Sequence, residues 1–180
     1  MVSQEMADGQ SAAQSAGPGR GEPPSLLVDA MLGKLARWLR LAGYDAEFWR
    51  KGSDEELMAA ARAQGRLILT KDRALAGRRG VRAVLLQAAD LDAQIREARA
   101  ALEQRGRTPE PFTRCGECNG VLADLSRVDA EPLVPPYVWH TQREFRRCTR
   151  CGRVYWKGTH WPAVQGRLAG AAPGEEGEEA

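Results

Sequence analysis

Four cysteines and a few well-placed aspartates are the residues of this chain whose types and spacing can do chemistry. The cysteines stand in two pairs, Cys115-Gly116-Glu117-Cys118 and Cys148-Thr149-Arg150-Cys151. A C-x-x-C pair makes one knuckle, and two knuckles close four thiolates into a tetrahedron, the pattern of a structural zinc site. Asn119-Gly120 and Gly152 follow the second cysteine of each pair, where such a turn needs permissive backbone. Four thiolates leave no open coordination position, so this zinc is expected to be structural and to supply much of the folding energy of a small domain. Disulfides and a redox C-x-x-C fit less well: no secretory signal is visible, and neither pair follows a strand in a βαβ unit. His140 and His160 are the only histidines. Four cysteines make both unnecessary as ligands, and they give no basis for a histidine-centred hydrolase.

The second chemistry belongs to carboxylates. Asp29, Asp72 and Asp90 each follow a short apolar run or lie between such a run and a helix. Asp54 stands in the first turn of another helix. In a parallel sheet, function gathers at the carboxyl ends of the strands, so these acids are expected to reach one edge. A cluster of that kind repels itself when empty and becomes favourable around Mg²⁺ or Mn²⁺, hard cations that prefer oxygen ligands. Ions held this way activate water and stabilise in-line phosphoryl displacement. Each acid also has a structural reading. Asp29, Asp72 and Asp90 precede helical segments and suit N-caps, and Asp54 suits the positive end of a helix dipole. There is no G-x-x-x-x-G-K-[ST] phosphate loop and no G-x-S-x-G elbow.

The elements that must position these groups follow from periodicity. Ser25 to Val28 reads as a buried strand ending at Asp29. Leu32, Leu35, Ala36 and Leu39 make one helical face, closed by Gly43. Asp45 to Trp49 suits a short strand, and Ser53 with Glu56 forms a capping box opening a helix to about Gln64. Arg66 to Thr70 and Val81 to Leu86 are further strands, and a last helix begins near Asp90 with Leu91, Ile95, Ala98 and Leu102 on one face. This order predicts an α/β fold, a parallel sheet with helices on both faces. After a linker at Thr108 to Pro111, cysteines, prolines and aromatics replace helical periodicity. The expected organisation is a tail over 1–24, the α/β domain over 25–107, the four-cysteine ribbon over 110–166 and an acidic tail over 167–180, both tails disordered.

Charge is distributed unevenly. Residues 25–109 carry 16 Lys and Arg against 11 Asp and Glu, and residues 110–168 carry nine against six. The part that should fold is therefore basic, which fits a polyanion partner or simply a solvated surface. Lys34, Arg37 and Arg40 recur every three residues on the first helix, off its apolar face. They read equally as phosphate contacts and as a solvated basic face. In the ribbon, Arg146, Arg147, Arg150, Arg153 and Lys157 lie among Tyr155, Trp156 and Trp161. Basic groups with aromatics suit single-stranded RNA, although a small ribbon also needs aromatics for its own core. No apolar run is long enough for a membrane helix, and the composition predicts a cytoplasmic protein.

Taken together, three segments carry a family resemblance: Val28-Asp29-Ala30-Met31-Leu32-Gly33-Lys34-Leu35-Ala36-Arg37-Trp38-Leu39-Arg40, Gly65-Arg66-Leu67-Ile68-Leu69-Thr70-Lys71-Asp72, and the ribbon from Arg114 to Trp161 with its two knuckles and Val134-Pro135-Pro136-Tyr137. The chain resembles the PIN-like ribonuclease domain with zinc ribbon found at the C-terminus of Mut-seven-type exonucleases. That resemblance implies a PIN-like fold, RNA as substrate and Mg²⁺ or Mn²⁺ as cofactor. It places Asp29 and Asp72 at two acidic positions, matches Asp54 to a third, and leaves the fourth between Asp90 and Asp92. The expected site is thus Asp29, Asp54, Asp72 and Asp90 for Mg²⁺ or Mn²⁺, Cys115, Cys118, Cys148 and Cys151 for Zn²⁺, and Lys34, Arg37, Arg40, Arg147, Arg150 and Lys157 for RNA. The competing expectation is a non-catalytic RNA-binding or protein-interaction adaptor, in which the acids only cap helices.

Overall fold

The computed structural model describes residues 21–170. Of the expected tails over 1–24 and 167–180, residues 1–20 and 171–180 lie outside the described residues.

The first half is a three-layer α/β unit. Its strands are β1 (Leu26–Val28), β2 (Ala46–Phe48), β3 (Leu67–Thr70) and β4 (Ala83–Leu85), all parallel, in the order β2-β1-β3-β4. Its helices are α1 (Gly33–Leu41), α2 (Asp54–Ala63), α3 (Arg73–Ala76) and α4 (Leu91–Glu103). The strands are mostly apolar, with Glu47 in β2 and Thr70 in β3 as the exceptions, because both faces are covered, as a parallel sheet requires. Leu26, Val28, Leu67, Leu69 and Val84 turn to one face, against Leu35 and Leu39 of α1 and Ile95, Ala98 and Leu102 of α4. Leu27 and Ile68, one residue out of phase, turn to the other, against Leu57, Met58 and Ala61 of α2 and Leu75 of α3. The predicted capping box forms: the Glu56 N–H donates to Ser53 Oγ, and the Ser53 N–H donates to Glu56 Oε2 at 2.8 Å. The strand order reverses at β1, since β2 lies to one side of it and β3 to the other. The crevice outside the carboxyl ends of β1 and β3 is therefore the topological switch point, where open α/β sheets place their sites.

The second half is built on an antiparallel sheet, β5 (Leu122–Leu125), β6 (Phe145–Cys148) and β7 (Val154–Trp156), in that order. Between β5 and β6 the chain forms α5 (Arg127–Ala130) and α6 (Pro136–Thr141), joined by a 3-10 turn at Glu131–Leu133. Helical periodicity cannot announce segments this short. Ser126 caps α5, accepting from the Asp129 N–H at 3.1 Å. Ala130, Val134 and Val138 then close over Phe145, with Trp139 and Trp156 at the margin.

The end of the chain departs from the expectation of a tail from residue 167. A helix, α7 (Trp161–Ala169), turns back onto α4, and Leu168 joins the core of the α/β unit with Val164 beside it. Arg167 pairs with Asp92 in α4, and its guanidinium lies over the Trp38 ring of α1 at 4.8 Å. Burying a leucine stabilises by about 1.5–3 kcal/mol, which adds to the helix's own hydrogen bonds and the Arg167–Asp92 pair in offsetting the entropy of ordering it. The ribbon and the α/β unit are thus bound at both ends of the ribbon, not only by the linker.

Candidate functional site

The two knuckles bring the four cysteines together. Among the described residues, Cys115, Cys118, Cys148 and Cys151 are the one group of three or more His, Cys, Asp and Glu side chains placed to share an ion, with ligand atoms within 4.8 Å of one another. Cys118 Sγ lies 3.4 Å from Cys148 Sγ, and Cys115 Sγ lies 3.7 Å from Cys151 Sγ. Backbone N–H groups of Cys118 and Cys151 point at the first sulfur of their own knuckles, each at 3.5 Å. Such N–H donors are what stabilise thiolate. Gly120 is required by contact: a Cβ there would lie 2.8 Å from Cys148 Sγ. Asn119 takes the left-handed conformation at φ 66°, which asparagine tolerates better than most residues. The donor set fits a tetrahedral structural ion such as zinc.

The thiols do not titrate alike. Burial pushes the Cys118 thiol up, but the Gly120 N–H, the Cys148 thiol and Arg150 outweigh it and bring it down to about 6. Cys151 moves the other way, to about 12: an N–H from Arg153 favours its thiolate, but burial and the neighbouring cysteines oppose a further charge. The first negative charge in the cluster is welcome and the next is resisted, so a cation that accepts all four thiolates must displace protons.

The ribbon is also tied to the edge of the parallel sheet. The outer backbone groups of Ala46 in β2 would be left open at a sheet edge. Asn119 Oδ1 accepts from the Ala46 N–H at 3.0 Å, and Arg40 Nε donates to Ala46 O at 2.8 Å. Arg40 Nη1 continues to the knuckle carbonyls of Gly116 and Glu117, at 3.2 and 2.8 Å. Arg40 is only 6% exposed, and burial lowers its pKa. This corrects its assignment as an RNA contact: the side chain is consumed in joining the knuckle to β2. Arg37 pairs with Glu117 of the same knuckle. The Arg150 side chain turns to the Cys118 thiol, which raises its pKa. Arg147 is exposed and donates to Gly152 O at 3.2 Å, Lys157 lies 3.6 Å from Glu144, and Lys34 is exposed.

At the switch point, Asp29 and Asp72 are joined through a third residue that the sequence reading did not single out. Thr70, the last residue of β3, is fully buried. Its hydroxyl donates to Asp29 Oδ2 at 2.6 Å and accepts from the Asp72 N–H at 2.9 Å. Nothing in the composition marks it; its place between a buried strand and Asp72 is the only signal. Asp72 Oδ1 also caps α3, accepting from the N–H groups of Ala74 and Leu75 at 2.7 and 3.0 Å. Among the described residues, Asp29 Oδ1 and Asp72 Oδ2 accept no hydrogen bond.

The other expected acids stand apart from this pair. Asp54 opens α2 with Oδ2 at 3.8 Å from Arg78, beside the closer Arg78–Glu55 pair. Asp90 caps α4, accepting from the Ala93 N–H at 2.9 Å. Asp92 is held by Arg167, which lowers its pKa. The side chains therefore gather the cysteines into one cluster and connect Asp29 with Asp72, without drawing Asp54 and Asp90 into the same group.

Among the described residues no helix is long and apolar enough to cross a membrane. Comparison with curated proteins and with solved structures finds no match. A family model, that of the Mut7-C RNAse domain, matches residues 24–168, a span that takes in both the acid pair and all four cysteines. With most of its length matched, the chain belongs to the Mut7-C RNAse domain family.

Proposed function

We propose that this protein is a metal-dependent ribonuclease of PIN-like type, with Asp29 and Asp72 at its centre and a zinc ribbon that supports the fold and helps hold RNA. The observation that carries the reading is the Asp29–Thr70–Asp72 connection at the switch point of the sheet, within a chain of a ribonuclease-domain family. One oxygen of each carboxylate is engaged in fixing its position, and the other is left to accept a cation. Mg²⁺ or Mn²⁺, when bound there, supplies charge stabilisation for displacement at phosphorus and a lowered pKa for water. Asp29 and Asp72 would hold the ion, while Asp54 and Asp90, at the starts of α2 and α4, stand outside that pair. Thr70 orients Asp29 through its hydroxyl, which donates to Asp29 Oδ2. Zn²⁺ on Cys115, Cys118, Cys148 and Cys151 has no catalytic part, because four thiolates leave no position for water.

The test is cleavage of a labelled single-stranded RNA by the zinc-loaded protein, with Mn²⁺ added or withheld, for the wild type beside Asp29→Asn. Mn²⁺-dependent cutting that disappears in the variant supports the reading. Cutting that persists undiminished in Asp29→Asn removes the carboxylate site from the mechanism.

A second reading is a non-catalytic RNA-binding adaptor. It is favoured by the caps that Asp72 and Asp90 form on α3 and α4. It predicts RNA binding without cutting and without Mn²⁺ affinity at the acid pair.

A further inference from the structure

The carboxyl edge of the parallel sheet carries cations outside the first-helix and ribbon sets described above. Val28 of β1 is the register partner of Phe48 in β2, and the Trp49 N–H donates to Val28 O at 2.8 Å. Arg50 follows Trp49, two residues past the end of β2. Its guanidinium carbon lies 5.4 Å from the centroid of the Phe48 ring. The Phe48 ring in turn lies against Gly33, the first residue of α1, where a Cβ would stand 3.0 Å from the ring. Phe48 is thus a platform wedged between the edge strand and the start of α1, and Arg50 rests on it. Arg50 and Lys51 are exposed on this flank, and Lys71 and Arg73 bracket Asp72 on the other. Among the described residues none of these four forms an ion pair. Arg37 and Arg40, by contrast, are committed to the knuckle.

We propose that Arg50, stacked on Phe48, seats a phosphate of the RNA beside Asp29, so that the strand crosses the sheet ends from Arg50 toward Arg73. The substrate class rests on the ribonuclease reading; the phosphate seat itself rests on the side chains. A pair of carboxylates repels a polyanion, and cations on both flanks offset that repulsion. An arginine lying on an aromatic ring is pre-organised in the plane, and its edge still presents parallel N–H donors to a phosphate. It is a positioning residue: it fixes where the chain of phosphates lies, and the acids act there.

The experiment measures binding of a short labelled single-stranded RNA to the full, zinc-loaded chain without Mn²⁺, over a range of salt. Arg50→Gln is expected to bind about fivefold to tenfold more weakly at low salt. Its slope of log affinity against log salt should be shallower by about 0.7, one single-strand phosphate contact. Arg50→Lys should keep the wild-type slope and recover part of the affinity. Phe48→Leu, which keeps the charge and removes the platform, should weaken binding with the slope unchanged. Arg82→Gln, just before β4 at the opposite edge, should bind like the wild type. Wild-type affinity and slope in Arg50→Gln, or no RNA binding by the wild type, would overturn the seat. Adding Mn²⁺ separates the two readings. Cutting by the wild type with an unchanged Arg50→Gln sinks the seat alone; no cutting with a shallower Arg50→Gln slope sinks the hydrolytic reading alone.

Discussion

Asn119, in the first cysteine knuckle, donates from Nδ2 to Asp45 Oδ1 at 2.7 Å while its Oδ1 accepts the outward N–H of Ala46. One amide therefore joins the metal-binding turn to the start of the edge strand of the α/β sheet. Asp45 is the centre of the joint. Arg66 Nη1 donates to it at 2.8 Å, and Arg114 Nη2 lies 3.6 Å away. Asn119→Ala should lose both bonds and a third, from Nδ2 to Glu47 Oε2, and put a Cβ residue without a helpful side chain at positive φ, costing about 2–3 kcal/mol. Asn119→Gly relieves the backbone and should cost less. Urea unfolding of both variants checks the order; equal stability to wild type would show that the joint is dispensable.

Asp45 also sets an acid limit on stability. Burial pushes its carboxyl up, but hydrogen bonds from Arg66 and Asn119 outweigh that and hold it below the ordinary carboxylate range. A group whose folded pKa is depressed contributes stability above its unfolded pKa and loses it as pH falls through the folded value. The contribution should be complete above about pH 5 and vanish progressively below about pH 4. The contribution is moderated by the solvent that still reaches the pair, whose side chains are 15% and 23% exposed for Arg66 and Asp45. Asp45→Asn should be less stable at neutral pH and show a flatter acid arm when urea midpoints are plotted against pH.

Arg40→Gln should destabilise the fold by about 2–4 kcal/mol, because it leaves buried carbonyls of Ala46, Gly116 and Glu117 unpaired. Arg37→Gln, on an exposed ion pair, should cost less than about 1 kcal/mol. Unfolding of Arg40→Gln at the wild-type urea concentration together with lost RNA binding would make Arg40 an RNA contact and not a structural joint.

Asp72 separates its two roles by substitution. Asn caps helices as well as Asp, so Asp72→Asn should keep stability within about 0.5 kcal/mol. It should nevertheless abolish Mn²⁺-dependent cutting. Thr70→Val removes the hydroxyl that orients Asp29 and should lower Mn²⁺ affinity or cutting by about 10- to 100-fold. Isothermal titration with Mn²⁺ alongside a cleavage assay reads both; full activity in Asp72→Asn would favour the cap as its only function.

Zinc removal should be felt beyond the ribbon. Stripping the ion frees the knuckle that supplies Asn119 and the carbonyls gripping Arg40, so the Ala46 amide should lose hydrogen-exchange protection along with the ribbon amides. Zinc should also be released on acidification, since protons compete for the same thiolates. An Ala46 amide that stayed protected in the zinc-free chain would uncouple the two halves.

Local pattern carries the secondary-structure elements. Short apolar runs ending in acids, a capping box at Ser53 and Glu56, and a 3.6-residue stripe from Leu32 to Leu39 specify strands and helices whichever neighbours they meet. Alternation of helix and strand then leaves few topologies besides a parallel sheet. The paired C-x-x-C motifs are equally local, because each knuckle is made within a few residues. Tertiary structure alone decided which polar groups are spent on the fold. Arg37 and Arg40 share a spacing with Lys34, yet the knuckle docks on their side of α1 and buries Arg40, while Lys34 stays in water. No pattern around Thr70 announces a bridge, since its partner Asp29 lies 41 residues earlier and arrives only when β1 and β3 pair. The same holds for Leu168, whose burial depends on α7 finding α4. Periodicity reports which face of an element is apolar; what covers the rest is settled by contacts between residues distant in the chain.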